Sequence, residues 1–349
     1  MAWHEGGRRP IILKADDVTA GPVVTFGIGS CRNGIGIPAC GLPSLPLARL
    51  QRRRAIQGAA MMAHVYCDQR FMPEDQARIS IFDRGLLFAD AIYEVTAVIG
   101  GRMIDNDLHL QRLQRSLAEI GIALPMPMAG IEAMQHELIA RNGLDEGTVY
   151  IQVSRGVAKR DFLYPGDLKP NLFAFTTARR LTGTKAQAEG IAVEIAPDPR
   201  WMRRDIKTVM LLGQVLAKQA AHDSGFDDVW FVEDGLITEG ASASAFIVTQ
   251  EGSIVTRPNS HAILPGCTRR AVLRLCSEEG IGLEERAFSA QEAHEAAEAF
   301  LTSASSFVTP VVRIGNHVVG DGSPGPLTRR LQQIYLETAL AVTERAVPA

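Results

Sequence analysis

The chain has 349 residues, of which 46% are hydrophobic and 21% charged, and a net charge of −3. These proportions exclude a disordered or fibrous chain and give no reason to expect nucleic acid or an acidic membrane surface as a partner. No apolar run reaches the roughly 18–20 residues that span a bilayer.

Residues 1–61 carry eight Lys/Arg against three Asp/Glu, with several Gly and Pro and no sustained helical or alternating period. They read as a poorly ordered extension, or as upstream sequence that is not native, with Met61 or Met62 as the natural start. The glycines at 27–36 match neither GxGxxG nor GxxxxGK[ST]. From Met62 the texture becomes that of a folded α/β protein. A strand pair is expected over His64–Phe71 and Ala77–Ile81, then a strand at Ile92–Ile99 with Gly100-Gly101 as its turn. Asp105 or Asn106 caps a helix in which Leu110, Leu113, Leu117 and Ile120 share one face. Strands follow at Thr148–Ser154 and Leu172–Thr176, and the polar stretch around Arg179–Glu189 reads as a linker. Beyond it come a strand at Ile191–Ala196, a helix around Leu211–His222, and a hairpin of Val229–Glu233 and Leu236–Thr238 about Asp234-Gly235. A second hairpin joins Ala245–Thr249 to Ser253–Thr256. Helices at Thr268–Glu279 and Pro326–Glu344 flank a strand at Ala299–Thr302. The organisation is two α/β (α+β) domains, a small one at 62–180 and a larger one at 190–349, joined by 181–189.

Metal and disulfide chemistry find little support. The five cysteines (Cys31, Cys40, Cys67, Cys267 and Cys276) are scattered and form no CxxC pair, and no HExxH is present. A reducing, cytoplasmic setting fits them. Lysine is scarce, with six residues against thirty arginines, so chemistry that needs an amine has few candidates. Lys207 follows Ile206 and precedes an almost wholly apolar run; burial there disfavours the ammonium, and Arg203 and Arg204 act the same way if they point inward. A lysine that merely snorkels from a helix start is the plainer account of this residue alone. Glu239 closes a hairpin strand and opens the small-residue run TEGASASAF, where a planar ligand can approach closely and a carboxylate can meet a protonated ring nitrogen. LPGCTRRAV is a glycine loop running into a helix, whose free N–H groups near Cys267 and Thr268 suit a phosphate. Ser303, Ser305 and Ser306 add hydroxyls, and Arg112, on the polar side of its helix, can reach the same group. An amine, an acid, a helix-end anion site and an arginine together are the parts of a pyridoxal phosphate site.

In their order and spacing, FDRGLLFADAIYEV, DLHLQRL, VYIQVSRGVAKR, RWMRRDIK, LLGQVLAKQAAH, TEGASASAF, ILPGCTRRAV and TSASSFVTPVV resemble the fold-type IV pyridoxal-phosphate-dependent aminotransferases, and most of all the D-amino acid (D-alanine) aminotransferases. The resemblance runs from about Met62 to the end. It implies a two-domain fold with pyridoxal 5′-phosphate in the interdomain cleft, and transamination of D-amino acids with 2-oxo acids. Lys207 is then the Schiff-base lysine, which also shuttles a proton, and Glu239 the partner of the ring nitrogen. Arg112, Cys267, Thr268 and Ser303 hold the phosphate. Tyr93, Val95 and Ser242 face the substrate, and Arg160 takes its carboxylate, delivered across a homodimer. The chain departs from the pattern at Phe162, where the family carries histidine, at Ala304 in place of a phosphate hydroxyl, and in EGASAS, which makes the floor less polar. These departures bear on substrate choice. Branched-chain (L-) aminotransferases, R-selective amine transaminases and aminodeoxychorismate lyases are sister alternatives; a non-catalytic cofactor-binding protein has no use for both Lys207 and Glu239.

Overall fold

The computed structural model describes residues 63–345. The first hairpin pairs β1 (His64–Cys67) with β2 (Arg70–Pro73) across Asp68 and Gln69, both at positive φ. That two-residue turn interrupts the strand expected over His64–Phe71. The strand expected over Ala77–Ile81 does not form; the chain passes through this stretch without regular structure into α1 (Arg84–Phe88). Then come β3 (Ala91–Ile99), the Gly100-Gly101 turn, and β4 (Arg102–Met103). The helix α2 (Asn106–Glu119) buries Leu110, Leu113 and Leu117. Asp105 occupies its N-cap but makes no side-chain cap; its Oδ2 instead accepts a 2.8 Å hydrogen bond from the Tyr335 hydroxyl. A further helix, α3 (Met128–Asn142), was not among the expected elements. It buries Ile131, Met134 and Leu138, and Gly143 closes it in the left-handed region.

β5 (Glu146–Ser154) and β6 (Asn171–Ala178) complete a six-stranded antiparallel sheet in the order β2-β1-β6-β5-β3-β4. α2 and α3 supply aliphatic residues to a core shared with this sheet, around Ile92, Leu113, Leu138 and Ile151. The polar stretch expected as a linker holds α4 (Lys185–Glu189), started by a reciprocal Thr184–Gln187 capping box.

The remaining strands form a second, mixed sheet. Its members are β7 (Ile191–Pro197), β8 (Asp228–Glu233), β9 (Leu236–Gly240), β10 (Ser244–Val248), β11 (Ile254–Thr256), β12 (Leu283–Glu285), β13 (Glu298–Ser303), β14 (Phe307–Ile314) and β15 (His317–Val318). The order is β12-β11-β10-β13-β14-β7-β8-β9, with β15 on β14. The parallel β14–β7 and β7–β8 pairs sit at its middle and are flanked by antiparallel hairpins. Helices α5 (Leu212–Asp223), α6 (Cys267–Glu278), α7 (Ala290–His294) and α8 (Pro326–Arg345) connect or cover these strands. Among the described residues no helix is long and apolar enough to cross a membrane.

One crossover positions the site. The segment between β7 and α5 leaves the second sheet and lies along β3 of the first. There Tyr93 N donates to Lys207 O (3.1 Å), Val209 N donates to Ala91 O (3.1 Å), and Thr208 bridges Ile92.

Candidate active site

A cavity of ≈ 370 Å³ lies where this crossover meets both sheets. One wall comes from a single face of the first sheet. Because alternate strand residues point the same way, Tyr93 and Val95 of β3, Thr148 and Tyr150 of β5, and Phe175 and Thr177 of β6 all line it. The Tyr93, Tyr150 and Phe175 rings stack successively, at centroid distances of 5.5 and 4.7 Å.

Of the six lysines, Lys14 lies outside the described residues, and Lys207 alone among the others lines this cavity. Its Nζ lies 4.1 Å from the centroid of the Tyr93 ring. The backbone pairing to β3 fixes this position, rather than a helix: α5 begins only at Leu212. The apolar run after Lys207 is not buried either, since Met210, Leu212, Val215 and Leu216 are exposed. Arg203 and Arg204 are both neutralised by carboxylates, Arg203 by Asp205 and Glu119 and Arg204 by Asp198 and Glu233.

Glu239 sits at the end of β9 and is 4% exposed. Its Oε1 accepts hydrogen bonds from Arg200 Nη1 (2.5 Å) and from Leu264 N (3.0 Å). Among the described residues nothing bonds Oε2. Burial pushes the Glu239 carboxyl up from its ordinary range, while Arg200 and the Leu264 N–H act against that rise. Arg200 is held in turn by Asp198. Nothing in the local sequence marks Arg200 as a partner of a residue thirty-nine positions away.

Opposite chemistry gathers at the start of α6. Gly266 is the N-cap and offers no side chain, and a Cβ there would meet Ser244 Oγ at 2.8 Å. Among the described residues no acceptor takes the N–H groups of Cys267 or Thr268. These orphan donors and the helix dipole form an anion cradle. Arg112 is buried rather than on an exposed polar face. It grips Glu94 through Nε and Nη2, each at 2.8 Å, and donates from Nη1 to Pro265 O (2.9 Å), beside the cradle. His109 Nδ1 lies 2.8 Å from Glu94 Oε2, the oxygen that Arg112 Nη2 also holds. Burial would raise the Glu94 carboxyl, but Arg112 and His109 bring it down to about 2. His109 is held up at about 9 against its own burial, by Cys267 and Glu94. Neither Glu94 nor His109 was expected at the site: the alternation of β3 gives no sign that Glu94 faces inward, and His109 is buried on α2 by a partner fifteen positions away.

Ser303 also lines the cavity, with its Oγ 2.7 Å from Ser306 Oγ. The neighbouring Thr302 Oγ1 is buried and has no hydrogen-bond partner among the described residues. Ser242, with Ala241 and Ala243, lines the floor. Arg160 and Phe162 do not join this cavity. Phe162 is 79% exposed, and the Arg160 guanidinium lies 5.6 Å from the Phe88 ring. Tyr93, Val95, Arg112, Lys207, Glu239, Ser242, Cys267, Thr268 and Ser303 are thus brought together, and Arg160 and Phe162 are left apart.

The set fits pyridoxal phosphate. It offers an amine, a buried carboxylate with one free oxygen, a helix N-terminus without a cap, and an unpaired buried hydroxyl in one cavity. Residues 91–314 match the model of the amino-transferase class IV family. The chain is a class IV aminotransferase. It is 37% identical to the D-alanine aminotransferase of Bacillus licheniformis over 278 residues, covering 80% of this chain and 98% of that one. The D-alanine aminotransferase of Staphylococcus haemolyticus is 34% identical, over 78% of this chain and 96% of its own length. Among solved structures, the Escherichia coli branched-chain amino acid aminotransferase superposes with a TM-score of 0.75 at 21% identity, over 80% of this chain and 95% of that one. At that identity the likeness establishes the fold. The mixed α/β architecture and the dependence on pyridoxal phosphate are those of this family.

Proposed function

We propose that this class IV aminotransferase transfers the amino group of D-amino acids to 2-oxo acids in two half-reactions. The observation that carries the reading is the convergence of Lys207, Glu239 Oε2 and the uncapped start of α6 on one cavity. The D-alanine aminotransferases among the relatives support the D-substrate class.

When bound, pyridoxal phosphate supplies a ring that accepts the electron pair left on the substrate. Cys267 and Thr268 N–H, with Arg112 and Ser303, bind its phosphate. Glu239 Oε2 would accept the N–H of the cofactor ring, with Arg200 on Oε1 favouring the charged carboxylate. Lys207 would hold the cofactor through its amine, and that amine, freed when the substrate's amino group displaces it, would move the proton from the substrate Cα to the cofactor C4′ position. Tyr93 and Val95 orient the substrate against that amine, which is where positioning contributes rate. Arg160 captures the substrate carboxylate from a partner subunit. Its exposure on a surface that also presents Phe82, Leu86, Phe162 and Leu163 supports a homodimer. The same reading takes 62–180 and 190–349 as two lobes and places the enzyme in the cytoplasm, in keeping with the free Cys67, Cys267 and Cys276.

The test is a half-reaction on the purified holoenzyme, in which D-alanine, D-phenylalanine, L-leucine and R-1-phenylethylamine are each supplied alone. The change in cofactor absorbance is followed. Conversion by the D-amino acids is the expected outcome. Conversion by L-leucine or the amine alone would refute the D-amino acid assignment and move the enzyme to a sister group.

A further inference from the structure

Three residues that line the cavity carry a buried polar atom with no hydrogen-bond partner among the described residues: Arg204 Nε, Gln214 Oε1 and Thr302 Oγ1. The charge of Arg204 is answered by Asp198 and Glu233, and Thr302 stands on β13, against which α6 and its anion cradle pack. Gln214 differs. It faces the cavity from the first turn of α5, and no described residue bonds to its side-chain amide. Folded proteins rarely bury an amide oxygen unpaired, so one at a cavity wall marks the place of a ligand's polar group.

The placement of α5 says which group. The helix starts at Leu212, five residues after Lys207, and packs on β7 and β8. Its first turn comes close to the segment that carries Arg200: a Cβ on Gly213 would lie 3.2 Å from Pro199 Cγ. Arg200 in turn holds Glu239. The helix α6 packs instead on β12, β13 and α8. Gln214 therefore belongs to the side of the cavity built by the Lys207 and Arg200 segments, away from the cradle at Cys267 and Thr268. The substitution pattern of the pyridoxal ring completes the argument. The ring nitrogen is para to the carbon that meets the lysine, and the phosphate arm and the 3-hydroxyl flank that carbon on opposite sides. With the nitrogen at Glu239, the reactive carbon at Lys207 and the phosphate at α6, the hydroxyl faces the side on which Gln214 stands. A carboxamide can accept from that hydroxyl through Oε1, or turn and donate from Nε2 to its anion.

We propose that Gln214 is a cofactor-binding residue whose carboxamide hydrogen-bonds the 3-hydroxyl of pyridoxal phosphate. The inference rests on the aminotransferase reading of this cavity and deepens it. The phosphate arm is joined to the ring by rotatable bonds, so it leaves the ring free to tilt about the line from Lys207 to Glu239. A hydrogen bond on the opposite edge limits that tilt and sets the ring plane for reaction at the amine.

The experiment resolves wild type, Gln214→Met and Gln214→Leu from their cofactor and titrates each with pyridoxal phosphate and with its 3-deoxy analogue. Both variants keep an apolar side chain of similar size and lose the amide. The preference for pyridoxal phosphate over the analogue should fall roughly 10-fold in the variants, with the analogue bound within about 3-fold of wild type. The cofactor-free variants should melt no lower than wild type, since an unpaired buried oxygen is removed. Equal weakening of both ligands would overturn the proposal and make Gln214 a packing residue. An unchanged preference would overturn it as well. Borohydride fixation and peptide mapping of the same holoenzymes test the underlying reading separately. Fixation on Lys207 with an unchanged preference refutes the role of Gln214 alone. Fixation on another lysine refutes the reading of the cavity and this inference with it.

Discussion

Arg200 Nη1 lies 2.5 Å from Glu239 Oε1, deep inside the protein, while Glu239 Oε2 carries no bond from any described residue. The carboxylate is therefore anchored on one side and open on the other. Burial pushes its carboxyl up, and Arg200 is the main group opposing that rise. Glu239→Gln keeps the shape but removes the charge proposed to hold a proton on the cofactor ring. Its transamination rate should fall roughly 10²- to 10³-fold, the scale seen when a group that stabilises developing charge is removed. Arg200→Met should behave differently. It leaves Glu239 buried without its cation and should cost about 3–5 kcal/mol of stability, read by denaturant unfolding. If the Glu239→Gln enzyme turned over at the wild-type rate, the role of the carboxylate would be wrong.

The Glu94 pair and His109 make stability depend on pH in two windows. Glu94 sits at about 2, below the ordinary 4.5, so its contribution is complete above pH 4.5 and is lost as pH falls through 2. His109 sits at about 9, above the ordinary 6.5, so its contribution is complete below pH 6.5 and is lost as pH rises through 9. Melting temperature should therefore decline as pH rises from 6.5 to 9. Glu94→Gln strands Arg112 and the imidazolium, should cost about 3–5 kcal/mol, and should flatten the alkaline decline. An unchanged alkaline slope in that variant would exclude the Glu94–His109 pair as its source.

Much of the site was legible in the sequence, for reasons that differ between residues. Lys207, Glu239 and the Gly266–Thr268 turn each sit in a short stretch with its own chemistry, and the ordered resemblance tied them together. The Asp234-Gly235 hairpin and the Gly100-Gly101 turn were readable because positive φ selects those residues. The Asp68–Gln69 turn was not, since it adopts the same backbone region without a glycine. Ala77–Ile81 misled in the opposite sense: its short alternation of small, apolar and polar residues has no neighbouring strand to pair with. The helix α3 had a readable face in Ile131, Met134 and Leu138. Arg200 and His109 owe their surroundings to neighbours distant in the chain, and no local pattern announces those.

Thr302 offers a test that separates the empty protein from the loaded one. Its Oγ1 is buried without a partner, a cost that replacement by an apolar isostere removes. Thr302→Val should leave the cofactor-free protein as stable as wild type, or more stable by about 1 kcal/mol. The same change should weaken pyridoxal phosphate binding roughly tenfold, about 1.4 kcal/mol, as read by cofactor titration. A variant that binds the cofactor as tightly as wild type would show that this hydroxyl does not serve the site.

The central claim is that Lys207 carries the cofactor. Borohydride treatment of the holoenzyme, followed by peptide mass mapping, tests it most directly. The account predicts one modified peptide, spanning Asp205 to Thr208 with the cofactor fixed covalently on Lys207, and no modification in Lys207→Ala. Modification of another lysine, or a Lys207→Ala enzyme that still fixes the cofactor and transaminates, would contradict it.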